Sequence, residues 1–169
     1  MTEAPVSGEF MLKDILKGKV VIVGIGNVLR GDDGFGPALI ERLTPVLCGG
    51  AEKDAVCINA GSAPENYTGK IAKLNPDTVL IVDAVHMGVK PGEYKVLKKS
   101  DIVKGGFTTH DISPRMFIEY LEKETSADIY MLGVQPKSLS FGEKLSGNVK
   151  KTLQEVSDLI INSCNTSKR

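Results

Sequence analysis

The stretch Gly18-Lys-Val-Val-Ile-Val-Gly-Ile-Gly26 decides the fold of this chain. Its β-branched apolar run has no polar face and ends in glycines, which reads as a central strand of a parallel sheet. Val79-Leu-Ile-Val-Asp83 repeats the pattern, apolar until a carboxylate ends it, and Ala55-Val-Cys-Ile-Asn59 and Asp128-Ile-Tyr-Met-Leu-Gly-Val134 supply two more strands. Glu93-Tyr-Lys-Val-Leu97 alternates as a half-exposed edge strand does. Between the strands, Pro37 to Leu47 has helical spacing that Gly49-Gly50 should stop. A short helix or turn is expected at 67–74 and a single helical turn at 100–104. Ser113 as N-cap and Pro114 at the first helical position open a helix to about Lys123. Leu145, Val149, Leu153, Val156 and Ile160 share one face of a terminal helix. The alternation predicts an α/β three-layer sandwich: a twisted, five-stranded, mostly parallel sheet with one antiparallel edge strand and helices on both faces. Residues 1–169 form one domain in this reading, with 1–17 a lead-in that either docks as a short helix or stays mobile, and 165–169 a tail.

Composition narrows the function. Of 169 residues, 21 are Lys or Arg and 21 Asp or Glu, so the formal net charge is zero. That balance lacks the electrostatic footprint of a nucleic-acid or membrane-surface binder. Cys48, Cys57 and Cys164 are too far apart in sequence for a C-x-x-C motif and are odd in number; three reduced, mostly buried thiols are expected. No apolar run approaches a membrane span, and Met1-Thr-Glu-Ala-Pro5 lacks the basic and apolar regions of a secretory signal. The expectation is a cytoplasmic protein. With only His86 and His110 present, any metal or base site must lean on carboxylates or on one particular histidine.

The position of the carboxylates is the stronger signal. Asp33 follows strand one, and Asp83 ends strand three. Open α/β sheets bind ligands outside the carboxyl ends of their strands, where strand order reverses. If strands one and three are neighbours, the two aspartates face one crevice, and His110, on a loop opened by Gly105-Gly106, can swing over it. Two carboxylates and an imidazole suit a borderline divalent cation such as Zn²⁺ or Ni²⁺. Each residue also has a plainer reading: Asp32 or Asp33 as helix cap, Asp83 as an ordinary strand-end carboxylate, His110 as a loop residue with one hydrogen bond. His86 reads as a solvated turn residue. Gly24-Ile-Gly26 invites a dinucleotide reading, but Leu29 stands where the fingerprint needs a third small residue, and Asp32-Asp33 would repel a pyrophosphate. Ser62 lacks the G-x-S-x-G elbow, and Cys57 within a strand makes a poor nucleophile.

Six segments carry a resemblance. Gly24-Ile-Gly-Asn-Val-Leu-Arg-Gly-Asp-Asp-Gly-Phe-Gly36 resembles the opening motif of the nickel–iron hydrogenase maturation endopeptidases, and Leu80-Ile-Val-Asp-Ala84 resembles their second. Thr108-Thr-His-Asp111 falls where that family places a histidine. Gly61-Ser-Ala-Pro-Glu-Asn66, Met87-Gly-Val-Lys-Pro-Gly-Glu93 and Leu132-Gly-Val-Gln-Pro136 are similar to the branch serving hydrogenase 3 of the formate-hydrogenlyase type. The resemblance runs from about Lys19 to Ile161. It departs only in a longer lead-in and a short tail after Ile161.

The resemblance implies a twisted five-stranded sheet between helices and Asp33, Asp83 and His110 as the metal-contacting, catalytic residues. It implies one cut that removes a C-terminal extension from the precursor of the hydrogenase large subunit, after nickel insertion. The nickel would come with the precursor; in the isolated protein another divalent cation (zinc, cadmium or calcium) could take its place. Whether the metal assists the chemistry or the aspartates activate water directly stays open at this level, as do a non-catalytic nickel-binding escort and a nucleotide-binding regulator. A monomer that meets the precursor transiently is expected.

Overall fold

The computed structural model describes residues 8–49, 55–107 and 113–166, without the side chains of 8–11 and 166. Five strands form one sheet in the order β2-β1-β3-β5-β4, with β1 Val20–Ile25, β2 Val56–Gly61, β3 Thr78–Ala84, β4 Tyr94–Leu97 and β5 Asp128–Val134. Every neighbouring pair is parallel except β4 with β5. The antiparallel partner is the four-residue edge strand, as its alternation predicts.

Both faces of the sheet are covered because the strands are apolar on both faces. Val20, Ile22, Leu80, Val82, Leu132 and Val134 point to one core, shared with Phe35, Leu39 and Leu43 of α2 (Phe35–Leu47) and Val149, Val156 and Ile160 of α6 (Gly147–Thr166). Val21, Val23, Val79, Ile81 and Met131 point to the other, against Ile71 of α3 (Thr68–Lys73), Ile102 of α4 (Lys99–Gly105) and Phe117, Ile118 and Leu121 of α5 (Pro114–Glu124). The period of two along each strand thus feeds two separate cores.

Local details differ from the sequence reading. Of the two alternatives for the lead-in, residues 8–15 take the short helix: they form α1 (Gly8–Ile15), and Leu12 within it and Leu16 just after it are fully buried, so hydrophobic burial outweighs the segment's polar composition. Leu145 lies before α6 and only packs against its core, because the helix begins at Gly147. Ser113 occupies the N-cap of α5 without a side-chain capping bond. Gly106 is less a hinge than the left-handed C-cap of α4, at φ +62°. Residues 167–169 of the expected tail lie outside the described residues, but Asn165 and Thr166 continue α6. Of the thiols, Cys164 is buried while Cys48 and Cys57 are only half-buried. Among the described residues no helix is long and apolar enough to cross a membrane.

Candidate active site

Strand β1 pairs with β2 on one side and β3 on the other, both parallel, so chain order reverses between β1 and β3. The crevice expected at such a switch point opens at their carboxyl ends. Beyond β1 the chain passes Gly26 and a single tight turn, Gly31–Gly34, before α2 begins at Phe35. Three glycines allow this. Gly26 sits at φ +143°, and a Cβ there would lie 1.8 Å from the Asp33 carbonyl oxygen. A Cβ on Gly36 would lie 2.3 Å from the Ile25 carbonyl oxygen and 2.7 Å from that of Val82, and one on Gly24 would lie 2.5 Å from the Gly36 carbonyl oxygen. The glycines of the first motif therefore let α2 lie directly on the sheet, and they leave Asp33 over the junction of β1 and β3. They do not form a phosphate loop.

Asp83, the next-to-last residue of β3, stands one residue beyond Val82, which pairs with Gly24 of β1. Asp33 and Asp83 are buried, at 1% and 2% exposure. The Asn27 amide donates to Asp33 Oδ2 at 2.9 Å, and the Ala84 amide donates to Asp83 Oδ1 at 2.8 Å. The helix-cap reading of Asp33 does not hold. Gly34 is the N-cap of α2, with no side-chain cap, and the Asp33 carboxylate turns back toward Asn27 instead. The structure thus sets Asp83 next to last in β3 and Asp33 in the turn that follows the neighbouring strand β1. His110 lies outside the described residues, so the third member of the set is not placed. Among the described residues no group of three His, Cys, Asp or Glu side chains is arranged to hold a metal ion. His86 is exposed, as expected of a solvated residue.

Two further residues shape the site, and the sequence reading missed both roles. Asp32, also buried, accepts hydrogen bonds from the amides of Lys137, Ser138 and Ser146 and from Ser146 Oγ, at 2.7–3.1 Å. It clamps the turn before α2 to the segment between β5 and α6. Gln135 is buried just past β5, and its Oε1 accepts the Met87 amide at 2.7 Å. That bond fixes the chain leaving β3 behind Asp83. The sequence signal for Gln135 is the similarity at Leu132–Pro136, and for Asp32 it is the doubled acid.

The fold agrees with what known proteins show. Residues 44–163 match the family model of hydrogenase maturation proteases. The hydrogenase 3 maturation protease of Escherichia coli K12 is 37% identical over 138 residues, covering 80% of this chain and 85% of the relative. The crystal structure of the [NiFe] hydrogenase maturation protease HycI from Thermococcus kodakarensis superposes with a TM-score of 0.81 at 34% identity, covering 92% of this chain and 99% of that one. The solution structure of the endopeptidase HycI from E. coli gives a TM-score of 0.71 at 29% identity, over 86% of this chain and 90% of that one. The chain belongs to the hydrogenase maturation protease family. It is a peptidase, a hydrolase of polypeptide substrates.

Proposed function

We propose that this peptidase removes the C-terminal extension from the nickel-loaded precursor of a [NiFe]-hydrogenase large subunit, and that Asp33, Asp83 and His110 contact the nickel carried by that substrate. The observation that carries the reading is the pair of buried carboxylates at the carboxyl ends of β1 and β3. Among the described residues the Asp33 side chain accepts one hydrogen bond, so most of its lone pairs are not committed to the fold. Buried anionic oxygens fit a divalent cation, since burial of a carboxylate is costly unless a positive partner meets it.

In this mechanism the two carboxylates and the imidazole recognise nickel already seated in the precursor. Recognition aligns the scissile carbonyl with the crevice, and the substrate's own metal polarises that carbonyl or an attacking water. A precursor without nickel gives the enzyme no purchase, so metal insertion precedes cleavage. A second reading rests on the same pair of carboxylates: Asp33 and Asp83 activate water themselves, as an aspartic-type site does. The protein works in this account as a cytoplasmic monomer that meets its substrate transiently.

Incubation with nickel-loaded and nickel-free precursor separates the readings, with release of the C-terminal peptide followed by mass spectrometry. Cleavage of the loaded form alone is expected; equal cleavage of both would overturn the nickel requirement and favour direct water activation. Asp33→Asn, Asp83→Asn and His110→Ala should each abolish processing with the far-UV spectrum unchanged. Binding of loaded precursor without peptide release by the wild type would instead make the protein an escort.

A further inference from the structure

The turn after β1 is built around an Asx turn, in which the Leu29 amide donates to Asn27 Oδ1 at 2.9 Å. It is then tied to the segment between β5 and α6 through backbone bonds. The Gly31 amide donates to the Glu143 carbonyl, the Asp32 amide to the Ser138 carbonyl, and the Gly142 amide to the Leu29 carbonyl, at 2.8–3.1 Å. With the four bonds accepted by Asp32, these make the two loops one rigid ledge beside Asp33.

None of those bonds uses the side chains of Val28, Leu29 or Phe141. Yet these three are 63%, 56% and 74% exposed on that ledge. Phe141 adjoins Leu29, because Gly142 bonds to the Leu29 carbonyl. Large apolar side chains gathered on a preorganised surface mark a contact site, since the fold gains nothing from holding them in water. Arg30, the next residue, adds a second sign: among the described residues its Nε is the one buried side-chain polar atom without a hydrogen-bond partner. Native structures rarely leave such a donor without a reason.

We propose that Val28, Leu29 and Phe141 form the platform on which an apolar segment of the polypeptide substrate docks, next to the bond that is cut. The occupant follows from continuity. The ledge is part of the same turn that carries Asp33, so a polypeptide held with its reacting bond at Asp33 lies within a few residues of it, and its apolar character selects an apolar segment. The identity of that polypeptide as the large-subunit precursor rests on the function proposed above. An aromatic side chain such as Phe141 belongs to the class enriched in protein–protein interfaces, and a frame already rigid lowers the cost of ordering it on binding.

The test is steady-state cleavage of purified nickel-loaded precursor by the full-length enzyme and its Leu29→Ser, Phe141→Ser and doubly substituted forms. Each single change should raise KM about 10-fold and the pair about 100-fold, with kcat held within about twofold. Val103→Ser, at an exposed apolar residue of α4, serves as control and should leave KM unchanged. Urea midpoints equal to wild type should accompany all four, because the side chains are solvent-exposed. A photoreactive benzophenone side chain at position 141 should cross-link to the precursor, which gives a readout independent of kinetics. Wild-type KM in the double variant, a loss confined to kcat, or absence of the cross-link would each overturn the platform while wild-type cleavage keeps the substrate assignment. A wild-type enzyme that neither cuts nor binds the precursor would instead overturn that assignment, and the proposal with it.

Discussion

Asp32 accepts four hydrogen bonds from a segment more than a hundred residues away in sequence, whereas Asp33 accepts one from its own turn. Adjacent, chemically identical and equally buried, the two are divided by what meets their oxygens. Asp32→Asn places an amide NH₂ against backbone N–H donors, so at least one bond becomes a donor–donor clash. We expect it to lower the unfolding free energy by about 3 kcal/mol, seen as a shifted urea midpoint. Asp33→Asn should leave that midpoint nearly unchanged while removing activity. A thiol on the neighbouring strand is testable by pH. Burial, with the hydrogen bond to Cys48 next, pushes the Cys57 thiol far above its usual range. The folded protein therefore keeps that proton where the unfolded chain, with an ordinary thiol pKa of about 8.5, loses it. The contribution is fully present below that pH and declines as pH rises above it, so Cys57→Ala should flatten the alkaline fall in thermal stability. The same protonation should make Cys57 slow to alkylate with iodoacetamide at pH 8, by peptide mapping, relative to a thiol of ordinary pKa.

At the scale of elements, α2 rests on β1 because neither Gly24 nor Gly36 carries a Cβ. Gly36→Ala would press a methyl into the Ile25 and Val82 carbonyls, forcing the helix off the sheet and Asp33 with it. A loss of about 2–3 kcal/mol is expected, together with a fall in kcat. Gly69→Ala is the matched opposite: that glycine lies exposed in α3 with nothing within 4 Å of where a methyl would sit, so about 0.5–1 kcal/mol of stabilisation should follow. Equal midpoints for the two variants would remove the close-packing account. The pair also shows what could be read from the sequence. Strands such as Thr78–Ala84 were legible because four apolar residues ending in a carboxylate have few other uses, and that pattern located Asp83 directly. The Gly24-Ile-Gly26 pair could only be argued away from a nucleotide, since close helix–strand packing and phosphate cradling ask for the same residue. The clamp by Asp32 was illegible: its partners at 137–146 lie in irregular chain with no periodicity, and only folding brings them to the acid.

Across the whole molecule, the lead-in segment is stitched in at the far end from the proposed active site. Leu12 is fully buried in the core beneath α6, and Thr78 Oγ1 donates to the carbonyls of Ile15 and Lys17 at 3.3 and 2.8 Å. Thr78 begins β3 and Asp83 stands near its opposite end, so the strand's length separates α1 from the proposed chemistry. Stability and catalysis should therefore be separable here. Leu12→Ala removes buried methyl groups and leaves a cavity, at a cost of about 3 kcal/mol. For a domain of this size that corresponds to a fall in Tm of roughly 10 °C. At a temperature where both proteins are folded, kcat and KM for precursor cleavage should match the wild type. A kcat that falls along with Tm would mean that packing at the start of β3 is transmitted to its end, and that the sheet acts as more than a rigid mount for the two aspartates.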